Sequence, residues 1–155
     1  MGRFELLQPV ADAAFRRYAA TPFDALSEVD QTVILVWSLH GEVGNGGFDQ
    51  FYFNSSGDFA AETVVALRRI GATRTAELVE EANRLFPSQP PPKVRQQRIA
   101  ELDSFSDNVA ATWDRLEREF YNDRDGLDES LVIYLVQRGI LSQGAQAPPK
   151  QERSN

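Results

Sequence analysis

The chain contains no cysteine, which excludes a disulfide framework, a thiolate metal site and a cysteine nucleophile. That absence fits a reducing compartment. Histidine is nearly absent as well: His40 is the single one, so the usual zinc ligand sets cannot be completed from His and Cys. No apolar run approaches the roughly 20 residues of a membrane span, and the longest is Thr32 to Leu39. Met1 to Phe15 carries Arg3, Glu5 and Asp12 without a continuous apolar segment, which reads against a secretory signal. Leu6 stands where a myristoylation signal needs Ser or Thr. An excess of bases is missing too: the formal net charge is −7, whereas nucleic-acid binding asks for a basic surface. These absences predict a soluble, cytoplasmic protein that neither enters a membrane nor binds nucleic acid directly.

What is present is a chain of 155 residues with 42 % hydrophobic content, enough for one domain with its own core. Apolar residues recur at helical rather than strand spacing nearly throughout. The expected fold is all-α, a single-domain bundle of about six to eight helices, over residues 1–141. Residues 142–155 are polar with Pro148-Pro149 and are expected to be disordered. The first helix is read over Glu5 to Ala19. Ser27-Glu28-Val29-Asp30 is a capping-box variant that opens a second helix running to about Val43. That helix is apolar almost all round (Val33, Ile34, Leu35, Val36, Trp37, Leu39) and should be the central one. Gly44, Gly46 and Gly47 end it. Phe48, Phe51 and Tyr52 follow at i, i+3, i+4, as a short helix burying an aromatic face, before the Ser55-Ser56-Gly57 turn. Further helices are expected over Phe59 to Ile70, Ala72 to Phe86, Val94 to Leu102, Asp107 to Tyr121 and Asp128 to Arg138, with Pro87 and Pro90-Pro91-Pro92 forming a stiff connector. On the Asp107–Tyr121 helix, Val109, Trp113, Leu116 and Phe120 make a narrow inward stripe.

Little in the sequence speaks for catalysis. His40, Glu42 and Asp49 lie close in sequence near the glycine turn and offer one alternative, a small metal-dependent hydrolase. His40 and Glu42 are two residues apart, however, and point to different sides of one helix. Ser55 and Ser56 lack the glycine-flanked elbow of a serine nucleophile. Gly41 to Gly47 is not followed by the Lys-Ser/Thr pair of a phosphate loop, and no cofactor is expected. The reading is therefore non-enzymatic.

The charge is distributed unevenly. Glu101 to Glu129 holds ten acids against Arg115, Arg118 and Arg124, and the remaining chain is neutral. Asp107 and Asp114 lie seven apart on the outward face of their helix, Glu117 flanks them, and Asp103 extends the row if the helix begins early enough. Asp114 can pair with Arg118, and Arg115 with Glu119, at i, i+4. A solvated helix face is one interpretation. A row of fixed negative charges resembling a phosphate backbone is the other.

The run Asn45-Gly46-Gly47-Phe48-Asp49-Gln50-Phe51-Tyr52-Phe53-Asn54-Ser55-Ser56-Gly57 resembles the NGGF-x-QFF-x-NSSG signature of a bacterial DNA-mimic protein family, a domain-of-unknown-function family. Ala66-Leu67-Arg68-Arg69-Ile70-Gly71-Ala72, Ala82-Asn83-Arg84-Leu85-Phe86-Pro87 and Leu116-Glu117-Arg118-Glu119-Phe120-Tyr121 agree with further family pieces, in order. In the last, Glu117 replaces the family's Asp. The resemblance implies an all-α, acidic, non-enzymatic protein whose carboxylates stand where DNA phosphates would on a DNA-binding transcription regulator, blocking its operator. The implied partner is a basic protein such as a helix-turn-helix transcription factor, and a homodimer is left open. The contact surface expected on this basis is Asp103, Asp107, Asp114, Glu117, Asp123, Asp125 and Asp128. Within the signature, Asn45, Gly46, Gly47, Phe48, Gln50, Phe51, Asn54 and Gly57 are expected to be structural. A partner that does not bind DNA is a further alternative.

Overall fold

The computed structural model describes residues 2–146. Seven α-helices and no strand occur among them: α1 (Arg3–Ala20), α2 (Glu28–Phe53), α3 (Ala60–Arg69), α4 (Thr73–Asn83), α5 (Arg95–Asp103), α6 (Asp107–Asn122) and α7 (Leu127–Gln137). The all-α expectation holds. Gln143–Gln146 forms a short 3-10 turn; the rest of the expected tail, 147–155, lies outside the described residues. No described helix is long and apolar enough to cross a membrane.

The apolar α2 is the axis of the bundle and touches α1, α3, α5, α6 and α7. Val33, Ile34, Leu35, Val36 and Leu39 are all buried, as a helix apolar all round requires. Ser27 caps it, its Oγ accepting the Asp30 N–H at 3.1 Å. The capping box is only half made, because the Asp30 carboxylate turns to α1. There it accepts from Arg17 Nε at 2.6 Å and Nη2 at 2.7 Å. The fork of the guanidinium matches both oxygens, and it holds the buried Asp30 carboxyl below the usual carboxylate range.

The expected break at the glycines lies inside α2. Gly46 and Gly47 leave helical geometry, Gly47 at φ 71°, ψ −170°, a region open essentially to glycine alone. A break strands carbonyls on one side and amides on the other, and α6 supplies a partner to each side. Glu117 Oε1 accepts the Phe48 N–H at 2.8 Å, and Tyr121 Oη donates to the Val43 carbonyl at 3.0 Å. Glu117 and Tyr121, one helical turn apart, thus clamp the two halves of α2 across the Gly-Gly step.

Beyond the break, Phe48, Phe51 and Tyr52 are fully buried. Tyr52 stacks on Trp113 with ring centroids 5.3 Å apart and packs on Phe86 at 4.7 Å. Its hydroxyl donates to Asn83 Oδ1 at 2.5 Å, and Asn83 Nδ2 donates to the Ala60 carbonyl at 3.1 Å. The α6 stripe is realised as predicted: Trp113, Leu116 and Phe120 are buried, and Val109 packs against the core.

Candidate functional site, an acidic face on α6

The carboxylates expected on one contact surface divide into two groups. Asp103, Asp107, Asp114 and Asp123 are exposed, while Glu117, Asp125 and Asp128 are half-buried. Asp103 does not extend the α6 row. It is the last residue of α5, and Ser104–Ser106 separate the helices. Asp123 takes a left-handed conformation, φ 44°, at the end of α6, and its Oδ1 accepts the Leu127 N–H at 2.9 Å, capping α7. Asp125 Oδ2 accepts both the Thr75 N–H at 2.6 Å and the Thr75 hydroxyl at 2.9 Å. It thereby satisfies an amide in the first turn of α4. Asp128 accepts from His40 Nδ1 at 3.1 Å. Four of the seven acids, Glu117 included, therefore bond within the fold.

Asp107 and Asp114 remain outward-facing. They line a shallow depression of about 300 Å³ together with Glu117 and Asp49, over a floor that includes Trp113 and Phe105. Asp49, unforeseen as part of this surface, is delivered by the second half of α2. The break at Gly47 sets that half beside α6, and Glu117 reaches across to Phe48. Four carboxylates thus ring one concavity on elements fixed by helix packing.

The expected Asp114–Arg118 pair does not form among the described residues. The Arg115–Glu119 pair does, at 3.1 Å, and Arg115 also reaches Glu81 while Arg74 reaches Glu119. Arg74, first of all, and then Arg115 hold the Glu119 carboxyl below its ordinary range. Neutralised in this way, Glu119 contributes little to the outward field. Asp107 and Asp114, with no described ion pair, contribute most.

The trio His40, Glu42 and Asp49 is not assembled. His40 turns to Asp128, Glu42 accepts from Gln50 and Asn54, and Asp49 lies on the acidic depression. No group of three or more His, Asp or Glu side chains among the described residues is arranged to hold a metal ion. The hydrogen bond from Asp128, larger than the opposing effect of burial, raises the His40 pKa above its ordinary value.

The main structural residue missed in the sequence is Arg98. It sits on the polar helix α5 and is 0 % exposed. Its five donors are all used. Nε donates to the Tyr52 carbonyl at 2.6 Å. Nη1 donates to the Pro92 and Lys93 carbonyls at 2.9 and 3.2 Å. Nη2 donates to the Asn54 carbonyl at 2.9 Å and to Asp58 Oδ1 at 2.8 Å. Gly57 is required by the same knot, since a Cβ there would stand 2.6 Å from Arg98 Nε and 2.9 Å from the Tyr52 backbone. An arginine among polar neighbours carries no burial signal in sequence.

The described residues form a compact all-α domain that presents a carboxylate-ringed concavity. Residues 24–138 match the DMP19-like protein family, and the chain belongs to that family. The DMP19-like family is the DNA-mimic protein family. No curated protein and no solved structure matches the chain.

Proposed function

We propose that this protein is a DNA mimic that binds a basic, DNA-binding protein, of the helix-turn-helix regulator kind, and blocks its access to operator DNA. The carrying observation is the depression where Asp49, Asp107, Asp114 and Glu117 converge, with Asp107 and Asp114 free of described ion pairs. A DNA-binding surface presents Lys and Arg spaced for phosphates. Asp107 and Asp114, seven residues apart, are separated by about 10 Å along the axis, a span of about three base-pair steps at ~3.4 Å each. Carboxylates on packed helices also meet a partner without the loss of freedom that a mobile acidic tail would incur.

The proposed contact surface is narrower than the sequence suggests. It consists of Asp107, Asp114 and Asp49, with Glu117 at its inner edge and Asp103 on the neighbouring α5. Asp123, Asp125 and Asp128 hold the fold. No enzymatic activity is assigned.

The test is capture of partners from the native host on immobilised protein, followed by competition with duplex DNA. The expected result is a basic protein that duplex DNA displaces and that loses operator binding when this chain is added. A captured partner indifferent to duplex DNA would remove the mimic reading and leave an interaction module of another kind.

A further inference from the structure

The signature also borders a second concavity, which shares no lining residue with the acidic depression. It is a half-open cavity of about 530 Å³, walled by Tyr18, Trp37, Phe51 and Phe59. Its size is within the range of small-molecule sites, which are commonly apolar with a few fixed polar groups. Glu42 is the only charged residue in its described wall, and no lysine or arginine lines it. Nor does Glu42 make an ion pair among the described residues.

The polar edge of this cavity has a defined hydrogen-bond polarity. A carboxylate only accepts, so Gln50 and Asn54 must turn their amide nitrogens towards Glu42 Oε2, at 2.6 and 3.0 Å. That orientation leaves Gln50 Oε1 to accept, which it does from Asn45 Nδ2 at 3.0 Å. The carboxylate therefore dictates the direction of three amides in succession. Each amide spends one of its two N–H donors inside the network, while Glu42 Oε1 is left to accept and Glu42 carries the only charge in the described wall. A ligand complementary to this edge brings N–H donors and a positive charge, and one complementary to the walls brings an apolar or aromatic body.

We infer that this cavity binds a small organic cation, an amine or guanidine carried on an apolar body, with its charged head on Glu42 and its body between Trp37 and Phe51. Asn45, Gln50 and Asn54 are positioning residues that fix Glu42. This site is separate from the proposed partner surface and does not depend on it.

The test is titration of the intact 15N-labelled protein with 2-phenylethylamine, tryptamine and agmatine, using 2-phenylethanol as the uncharged control. Expected are saturable shifts at Glu42, Asn45, Gln50 and Ser55, with the alcohol weaker by about tenfold or more, the scale of a lost charge-assisted bond. Glu42→Gln should weaken amine binding by a similar factor. Gly41→Leu provides a second variant that keeps the fold, because a Cβ at Gly41 meets nothing within 4 Å and leucine favours helix over glycine. Its side chain should fill the groove and abolish the shifts. Asp107→Lys with Asp114→Lys should leave amine binding unchanged, separating this site from the acidic face. The inference is overturned if no probe gives saturable shifts at millimolar concentration, if alcohol and amine bind alike, or if the shifts map to Asp107 and Asp114.

Discussion

Arg98 shows how a single side chain organises the signature. A buried guanidinium is tolerated only when its charge and donors are answered, and here three segments answer it: the end of α2, the turn leading to Asp58, and the connector at Pro92–Lys93. Lysine has three donors on a single nitrogen and cannot reproduce the fork. Arg98→Lys should therefore cost about 3–5 kcal/mol, read as a lowered denaturant midpoint with an unchanged slope. A loss under about 1 kcal/mol would mean that the knot is dispensable. At His40 the effect is linked to pH. Its folded pKa lies above the unfolded value near 6.5, because the Asp128 hydrogen bond favours the imidazolium. The contribution is fully present below about pH 6.5 and fades as pH rises through the raised folded value. Urea melts of the wild type and His40→Gln should differ most at low pH and converge at high pH. A constant difference would contradict the pairing.

Among the elements, the interrupted α2 and the helix that clamps it are most revealing. The Gly-Gly step was legible in the sequence, since glycines between two apolar periodic segments mark a break. The clamp was not, because helical periodicity tells which residues face outward without saying what packs there. Glu117 consequently looked like part of a solvated acid row, and it proves to accept the Phe48 N–H. Two variants separate its roles. Glu117→Gln retains an acceptor for Phe48 and should leave stability nearly unchanged while removing a charge from the depression. Glu117→Ala should cost about 1 kcal/mol, the usual scale of a lost helix cap. Equal stability of the two would argue against the cap. Gly47→Ala meets the same carboxylate, with a Cβ 2.2 Å from Glu117 Oε1 at a φ that alanine resists, so it should destabilise by about 1–3 kcal/mol and displace Glu117. Whether Asp103 joined the α6 row was left open by the sequence; the Ser104–Ser106 break, which falls between the two helices expected there, keeps it on α5.

Across the whole molecule, local charge and local function divide differently from what the sequence suggests. The fold class, the central apolar helix and the inward stripe of α6 followed from periodicity, because burial imposes it directly. The segment carrying the net charge was equally plain. Its acids could not be sorted from sequence, since capping, ion pairing and outward display all use Asp and Glu. Packing performs the sorting: Asp123 and Asp125 cap helices, Glu119 is matched by arginines, and Asp107 and Asp114 are left facing solvent beside Asp49. The signature is likewise doubly engaged, with Phe48, Phe51 and Tyr52 in the core and its amides around Glu42.

The mimic reading makes the position of the charges decisive rather than their sum. Asp107→Lys with Asp114→Lys changes net charge by the same amount as Asp12→Lys with Asp24→Lys, two exposed acids elsewhere on the surface. The most direct measurement is the affinity of each double variant for the duplex-competed partner across a salt series, with helicity checked by circular dichroism. The α6 variant should lose binding by about 100-fold or more, the scale of two close charge pairs, and wild-type affinity should fall as salt rises. The Asp12/Asp24 variant should bind nearly as the wild type does. Equal losses in both variants, or binding by the α6 variant undiminished, would contradict the assignment of the acidic face.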